Sequence, residues 1–425
     1  MAGFERALRT HARGHTRTAA ILALVAALTM PSAAAASTVS VTRTAVSNER
    51  GAEVTNTIRY LAGPGEANRV AVVRLSGTPE AGGETDRFAV TDPGAVISAG
   101  AGCARSNDHA AVCTTEAEPG GAFDTMSDAF SAQLGDQGDV SHIPDLPSTV
   151  DGGAGDDRIQ VDRGVAALNG GPGNDTLIGG TEPDSLDGGG GGRDVLHGGD
   201  SFDTLADGDM SGGADADVLD GGPHLIFPGT FDVGALGSPP FGGDDVSYAR
   251  RTRAVTVDLA AGRGGERGER DVLRGIENAY GGRGRDTLRG DRGPNNLFDG
   301  APKTPLGAGT GSDSFSGRGG NDFIGSWSGN DRLDGGAGND ELSCLPTRRQ
   351  RCRLSGGGGG DLLTGSRGND RLAGGSGKDS LDGVRGNDTL LARDRRRDRL
   401  DGGPGRDSAA IDRRRDRVRR VERLS

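Results

Sequence analysis

Residues 374–382 read GGSGKDSLD, and residues 335–343 read GGAGNDELS. Both fit one nine-residue unit, GGxGxDxUx, in which U is a large apolar side chain. The unit recurs as GGPGNDTLI from Gly170, GGTEPDSLD from Gly179, GGDSFDTLA from Gly198, GGADADVLD from Gly212 and GGRGRDTLR from Gly281. The register is strict. Asp313, Asp322, Asp331 and Asp340 are nine apart, as are Asp361, Asp370, Asp379 and Asp388. Two residues after each stands an apolar side chain: Phe315, Ile324, Leu333 and Leu342, then Leu363, Leu372, Leu381 and Leu390. A fixed period of this kind is the mark of a repeat architecture.

Residue chemistry gives the unit its shape. Paired glycines accept positive φ and tight curvature, so the first six positions form a turn. The last three form a short strand with one side chain pointing inward. Two units close one coil, and residues eighteen apart stack on neighbouring strands at ~4.8 Å. The expected fold is all-β: a right-handed parallel β-roll, or β-solenoid, with a core one residue wide. Stacking then sets Asp313 over Asp331, Asp322 over Asp340, Asp361 over Asp379 and Asp370 over Asp388. Such carboxylate columns repel unless neutralised. Together with turn carbonyls they make a hard, all-oxygen donor set, which suits Ca²⁺ better than Zn²⁺ or Cu²⁺. Ion binding and folding are expected to be coupled.

The composition agrees. The chain has 78 glycines in 425 residues, 33% hydrophobic residues and 4% aromatics, against a usual glycine share of ~7%. That leaves too little apolar surface for a conventional core throughout. Net charge is −12, which argues against a nucleic-acid partner. Low hydrophobicity also fits disorder, but a disordered chain does not keep a lattice of Asp and Leu.

The repeat closely resembles the RTX, or haemolysin-type calcium-binding, family over about residues 151–391. The resemblance implies Ca²⁺ as cofactor, held by the sixth-position Asp and by turn carbonyls. Carried over residue by residue, the metal ligands are Asp175, Asp184, Asp194, Asp203, Asp217, Asp286, Asp313, Asp322, Asp331, Asp340, Asp361, Asp370, Asp379 and Asp388, with Asp156 in GGAGDDRIQ as a weaker case. Asn295 stands where the copy after Asp286 would place its Asp, which weakens a site there. Many RTX proteins leave by a one-step exporter that reads a C-terminal signal, whereas this chain opens with an N-terminal one.

Residues 1–36 read as a secretory signal: Arg6, Arg9, Arg13 and Arg17, then an apolar run from Ala19 to Met30, then Ala34-Ala35-Ala36. The run is short of the ~20 residues needed to span a bilayer. The expected location is extracellular, with the cell surface included. Four cysteines allow three connectivities; the expectation is two local pairs, Cys103 with Cys113 and Cys344 with Cys352.

Residues 37–150 read as a small β-rich domain of alternating strands, grading into the roll near LGDQGDVS at Leu134. The roll over 151–391 carries insertions at 223–241, 244–280 and 344–355. Residues 392–425 read as Arg/Asp-rich capping repeats, since Asp398, Asp407 and Asp416 keep the nine-residue spacing and DRRRDR occurs at Asp394 and Asp412. Here guanidinium groups are expected to take the cation's place by pairing stacked carboxylates bidentately.

No catalytic constellation emerges. There is no HExxH, and GSWSG at Gly325 puts Trp327 where a nucleophilic serine would stand. DGDMSG at Asp207 begins like an EF-hand loop but has Val218 at its twelfth position, where Glu is required. The expected function is therefore a secreted, non-enzymatic calcium-binding protein with a structural or surface-interaction role. Its candidate partners beyond calcium are an extracellular polymer or a cell-surface component. The alternative is an extracellular enzyme or polysaccharide-active module carried on such a scaffold.

Overall fold

The computed structural model describes residues 36–48, 51–76, 86–115, 126–208, 215–223, 242–300, 311–344 and 349–425. The expected secretory signal, through residue 35, and residues 224–241 of the expected insertion lie outside the described residues. The described chain is all-β, with one 3₁₀ turn at Leu259–Ala261. No helix among these residues is long and apolar enough to cross a membrane.

Two parallel sheets face each other across a narrow core, and the chain alternates between them. In the first sheet Ser148–Gly153 pairs with Ala166–Asn169, which pairs with Ser185–Asp187, and so on to Arg417–Arg419. In the second, Arg158–Val161 pairs with Thr176–Ile178, which pairs with Val195–His197, and so on to Arg423–Leu424. This is a parallel β-roll of about 14 turns. The regular pairings are eighteen residues apart, as two nonapeptides per coil require: Leu333 lies beside Phe315, and Leu381 beside Leu363. The apolar position of each unit closes the core. Leu177, Leu186, Leu288, Ile324, Leu342, Leu363 and Leu390 are all fully buried.

The glycine turns are dictated by the stacking. Gly171 has φ of 102°, and a Cβ there would overlap the carbonyl oxygen of Gly153 one coil earlier. Only glycine satisfies both the positive φ and the close approach.

The roll's two sheets continue upstream of residue 148. Met126–Gly135 pairs parallel with Ser148–Gly153, and Val140–Ile143 with Arg158–Val161. Beyond them Gly51–Leu61 extends the first sheet and Arg69–Ser76 the second. Most of the remaining N-terminal strands pair antiparallel: Ser37–Asn48 on Gly51–Leu61, and the series Arg69–Ser76, Arg87–Thr91, Ala110–Thr114, Cys103–Asn107; Ile97–Ala99 lies parallel to Ser37–Asn48. A disulfide joins Cys103 to Cys113 across the last pair, and another joins Cys344 to Cys352. Both are the local pairings.

The expected insertion over 244–280 contributes strands to both sheets. Asp245–Ser247 enters the first sheet and Thr256–Asp258 the second, but the chain then doubles back. Arg263–Gly264 runs antiparallel between Thr256–Asp258 and Asp271–Arg274. Val218–Asp220 is paired by Asp271–Arg274, whereas Thr287–Arg289 is paired by Thr256–Asp258.

Alternation across each short strand generates a test. Leu363 is fully buried, whereas its neighbour Leu362 is 42% exposed. Leu363→Ala should cost about 2–5 kcal/mol, the range for truncating a buried leucine. Leu362→Ala should stay within about 0.5 kcal/mol, as for surface changes. Denaturant melts of the two variants under identical solution conditions check both; equal losses would refute the register.

Candidate metal centre

The sixth-position aspartates are almost entirely shielded from solvent. All fourteen carried over from the sequence are buried, none above 5% exposed. Their stacking follows one rule. Except at Asp331, whose neighbour one coil later is Cys352, the backbone N–H of the Asp donates to Oδ1 of the next Asp in its column: Asp313 to Asp331 at 2.8 Å, Asp322 to Asp340 at 2.9 Å, Asp361 to Asp379 at 3.0 Å and Asp370 to Asp388 at 2.8 Å. Asp175, Asp194 and Asp217 form a similar column, as do Asp184 and Asp203. Asp286 donates to Asp313 at 2.7 Å.

The second carboxylate oxygen separates two classes. In Asp175, Asp203, Asp313, Asp322, Asp340, Asp361, Asp379 and Asp388, Oδ2 is buried without a hydrogen-bond partner. In Asp175, Asp203, Asp322, Asp361 and Asp388 it lies against the first glycine of its own turn, where a carbonyl of the following coil converges on the same spot; in Asp340 and Asp379 it lies against that glycine. A methyl group added at Gly170 would meet both Asp175 Oδ2 and the Gly188 carbonyl; one at Gly356 would meet Asp361 Oδ2 and the Gly374 carbonyl. In the other class Oδ2 already accepts a local donor. Gly180 N–H reaches Asp184 and Gly282 N–H reaches Asp286, both at 2.7 Å. The Ser326 hydroxyl reaches Asp331. Ser366 donates to Asp370 from both N–H and hydroxyl, at 2.6 and 2.9 Å.

Burial disfavours the charged carboxylate. Desolvation is the largest influence throughout, opposed by the N–H of the preceding coil and in most cases reinforced by neighbouring carboxylates. It pushes Asp361 and Asp379 up to about 6, Asp175 and Asp322 to about 7, and Asp313 and Asp388 to about 8. An orphaned anionic oxygen facing a carbonyl, inside a low-dielectric turn, is a site lacking a positive charge. The donors brought together are all oxygen, the set that suits calcium.

Several positions correct or extend the sequence reading. In GGAGDD the lattice residue is Asp157, not Asp156. Asp157 is 2% exposed and its N–H donates to Asp175 Oδ1, whereas Asp156 is exposed and accepts from Asn174. Asp139, Asp244 and Asp271 also join the columns, receiving no mention from the motif because their turns are degenerate or follow an interruption. Asn295 needs no ion. Its amide donates to the Glu277 carbonyl at 2.8 Å, and its Oδ1 accepts from Asp291 N–H. Cys352 occupies an Asp position, donating its N–H to Asp370 Oδ1.

The arginine-rich end does not use its guanidiniums as expected. Arg395, Arg396 and Arg397 are exposed, and Asp398 and Asp407 keep an Oδ2 without a hydrogen-bond partner. The turn is closed instead through the backbone, with the N–H groups of Asp394 and Arg395 donating to Asp412. The bidentate pair that forms is Arg420 with Asp401, at 2.6 Å for each bond. At these turn positions an arginine side chain projects into water, away from the buried column.

A different guanidinium does serve inside. Arg251, 3% exposed, donates to Asp207 at 2.5 Å and lies 3.4 Å from Glu269. Burial opposes its charge, yet the Asp207 and glutamate carboxylates hold it firmly protonated. Asp207, Asp217 and Asp271 present carboxylate oxygens within 4.8 Å of one another at this break in the roll.

The family model for the RTX calcium-binding nonapeptide repeat matches residues 148–165, 169–205, 274–301, 307–342 and 355–390. No curated protein matches the chain. The matched segments coincide with coils in which buried aspartates stack, and over those segments the chain carries RTX calcium-binding nonapeptide repeats.

Proposed function

We propose that this is a secreted protein whose roll folds on Ca²⁺ and then serves a structural or surface-interaction role, without catalysis. The observation that carries the reading is the column of buried Oδ2 atoms that no protein group satisfies. Asp175, Asp203, Asp313, Asp322, Asp340, Asp361, Asp379 and Asp388 are the principal ligands, each completed by turn carbonyls. Asp184, Asp286, Asp331 and Asp370 hold their coils by hydrogen bonds already made. Asp194 and Asp217 belong to the same column as Asp175. The signal at residues 1–36 supports secretion, and the disulfides suit an oxidising compartment.

Calcium dependence is checked by far-ultraviolet circular dichroism of the mature chain in EGTA and in millimolar Ca²⁺. Strand signal and cooperative melting should appear with calcium. Identical spectra and melting in both buffers would overturn the reading.

Acidity should act in opposite directions with and without the ion. The folded, ion-free carboxylates hold protons up to about pH 6–8, whereas unfolded ones release them near 4. Stability of the ion-free roll is therefore greatest below about pH 4 and is lost as pH rises towards 8. With calcium the sign reverses, because protons and Ca²⁺ compete for the same oxygens. Melting temperatures at pH 5 and pH 8, in EGTA and in Ca²⁺, should show this crossing.

The two aspartate classes should differ in ion count. Asp361→Asn should lower the number of bound calcium ions, measured by equilibrium dialysis. Asp370→Asn should leave the number unchanged, since Ser366 already occupies its second oxygen.

A further inference from the structure

The solvent face of the second sheet carries a ladder that calcium binding does not use. Arg332 lies beside Arg353, and Arg353 beside Arg371. Three guanidiniums thus stack along the roll, one per coil, at ~4.8 Å steps. All three are exposed. No ion pair joins any of them to a carboxylate among the described residues, and Asp334, on the same face, stays beyond ion-pair distance.

Like charges directly opposite on neighbouring strands destabilise a sheet. The lattice does not demand them, because the same position is Ser314 one coil before and Thr389 one coil after. The ladder also borders a shaped surface. An open groove of about 700 Å³ runs along it, with Arg285, Arg351 and Asn369 contributing to its wall. Asp313, proposed above as a calcium ligand, forms part of its floor together with Asp331 and Asp370, so ion binding at Asp313 makes the groove more basic.

We infer that this face binds an acidic polysaccharide, and that it does so in the calcium-loaded state. The inference rests on the calcium-dependent folding proposed above. A guanidinium pairs a carboxylate or sulfate bidentately. A regular row of them fits a linear polymer with an acidic group on successive sugars, whose rise per sugar is close to one coil. No aromatic side chain is among the described residues lining the groove, so nucleobases would find no stacking platform.

The test uses the full mature chain in millimolar Ca²⁺, titrated calorimetrically with oligogalacturonate too short to gel, with dextran and with double-stranded DNA. Oligogalacturonate should bind, weakening as salt rises, and dextran should not. The triple variant Arg332→Gln, Arg353→Gln, Arg371→Gln should lose at least about tenfold in affinity, or ~1.4 kcal/mol, with its calcium-dependent dichroism and melting unchanged. Arg399→Gln with Arg417→Gln, a pair on the other sheet, should bind as the parent does. Undiminished binding by the triple variant, no binding by the parent, or tighter binding of DNA would each overturn the assignment. Absence of any calcium response in the dichroism would instead refute the folding proposal on which it rests.

Discussion

Most coils are joined to the next by a backbone N–H donating to Oδ1 of the stacked aspartate, and the rest of the structure depends on that bond. The core is one side chain wide, too thin to align the turns by itself. The carboxylate does so by bonding at the point where one strand begins and the next coil's strand lies beside it. Doing this buries the aspartate, and burial raises the cost of its charge. One oxygen is satisfied by the bond that builds the fold. The other is left facing a carbonyl, and the fold has to supply a proton, a hydrogen-bond donor or a cation to it.

The chain uses several of these remedies, and they explain its irregularities. Ser326 and Ser366 donate hydroxyls to Asp331 and Asp370. Asn295 replaces a carboxylate by an amide, which supplies its own donor to the turn carbonyl. Arg251 brings a permanent positive charge into the acidic break formed by Asp207 and the two glutamates around it. A buried ion pair is expensive to assemble and more expensive to break, so this arginine fixes the geometry where the nine-residue rhythm is lost. The positions without such a remedy, such as Asp361 and Asp388, are the ones proposed to take calcium.

Much of this was legible from spacing. The period of nine, doubled to eighteen, sets which aspartates stack and which leucines enter the core. It also exposes its own limit at residues 156 and 157. Two adjacent aspartates satisfy the composition of the motif equally, and only the count from Gly152 selects Asp157. The closed second oxygens of Asp184 and Asp370 were not legible, because they depend on how a turn backbone at Gly180 or Ser366 is oriented. The doubling-back at Arg263–Gly264 was hidden for a similar reason. Its strand is two residues long, too short to show alternation. At the arginine-rich end the composition suggested internal pairing, but the turn geometry points those side chains outward and leaves closure to the backbone.

The same lattice also sorts charge by position. The sixth residue of each unit points inward and carries the acids, whereas the seventh points outward and is free to vary. A net charge of −12 therefore describes the outer surface poorly, because many aspartates counted in it are buried in columns. Calcium bound to those columns would cancel the interior charge without touching the exterior. The field felt by an approaching polymer then comes from residues such as Arg332, Arg353 and Arg371, whose alignment exists only while the coils are stacked. Ion binding inside the roll and polyanion binding outside it are thus linked by the fold itself, with no need for a contact between the two ligands.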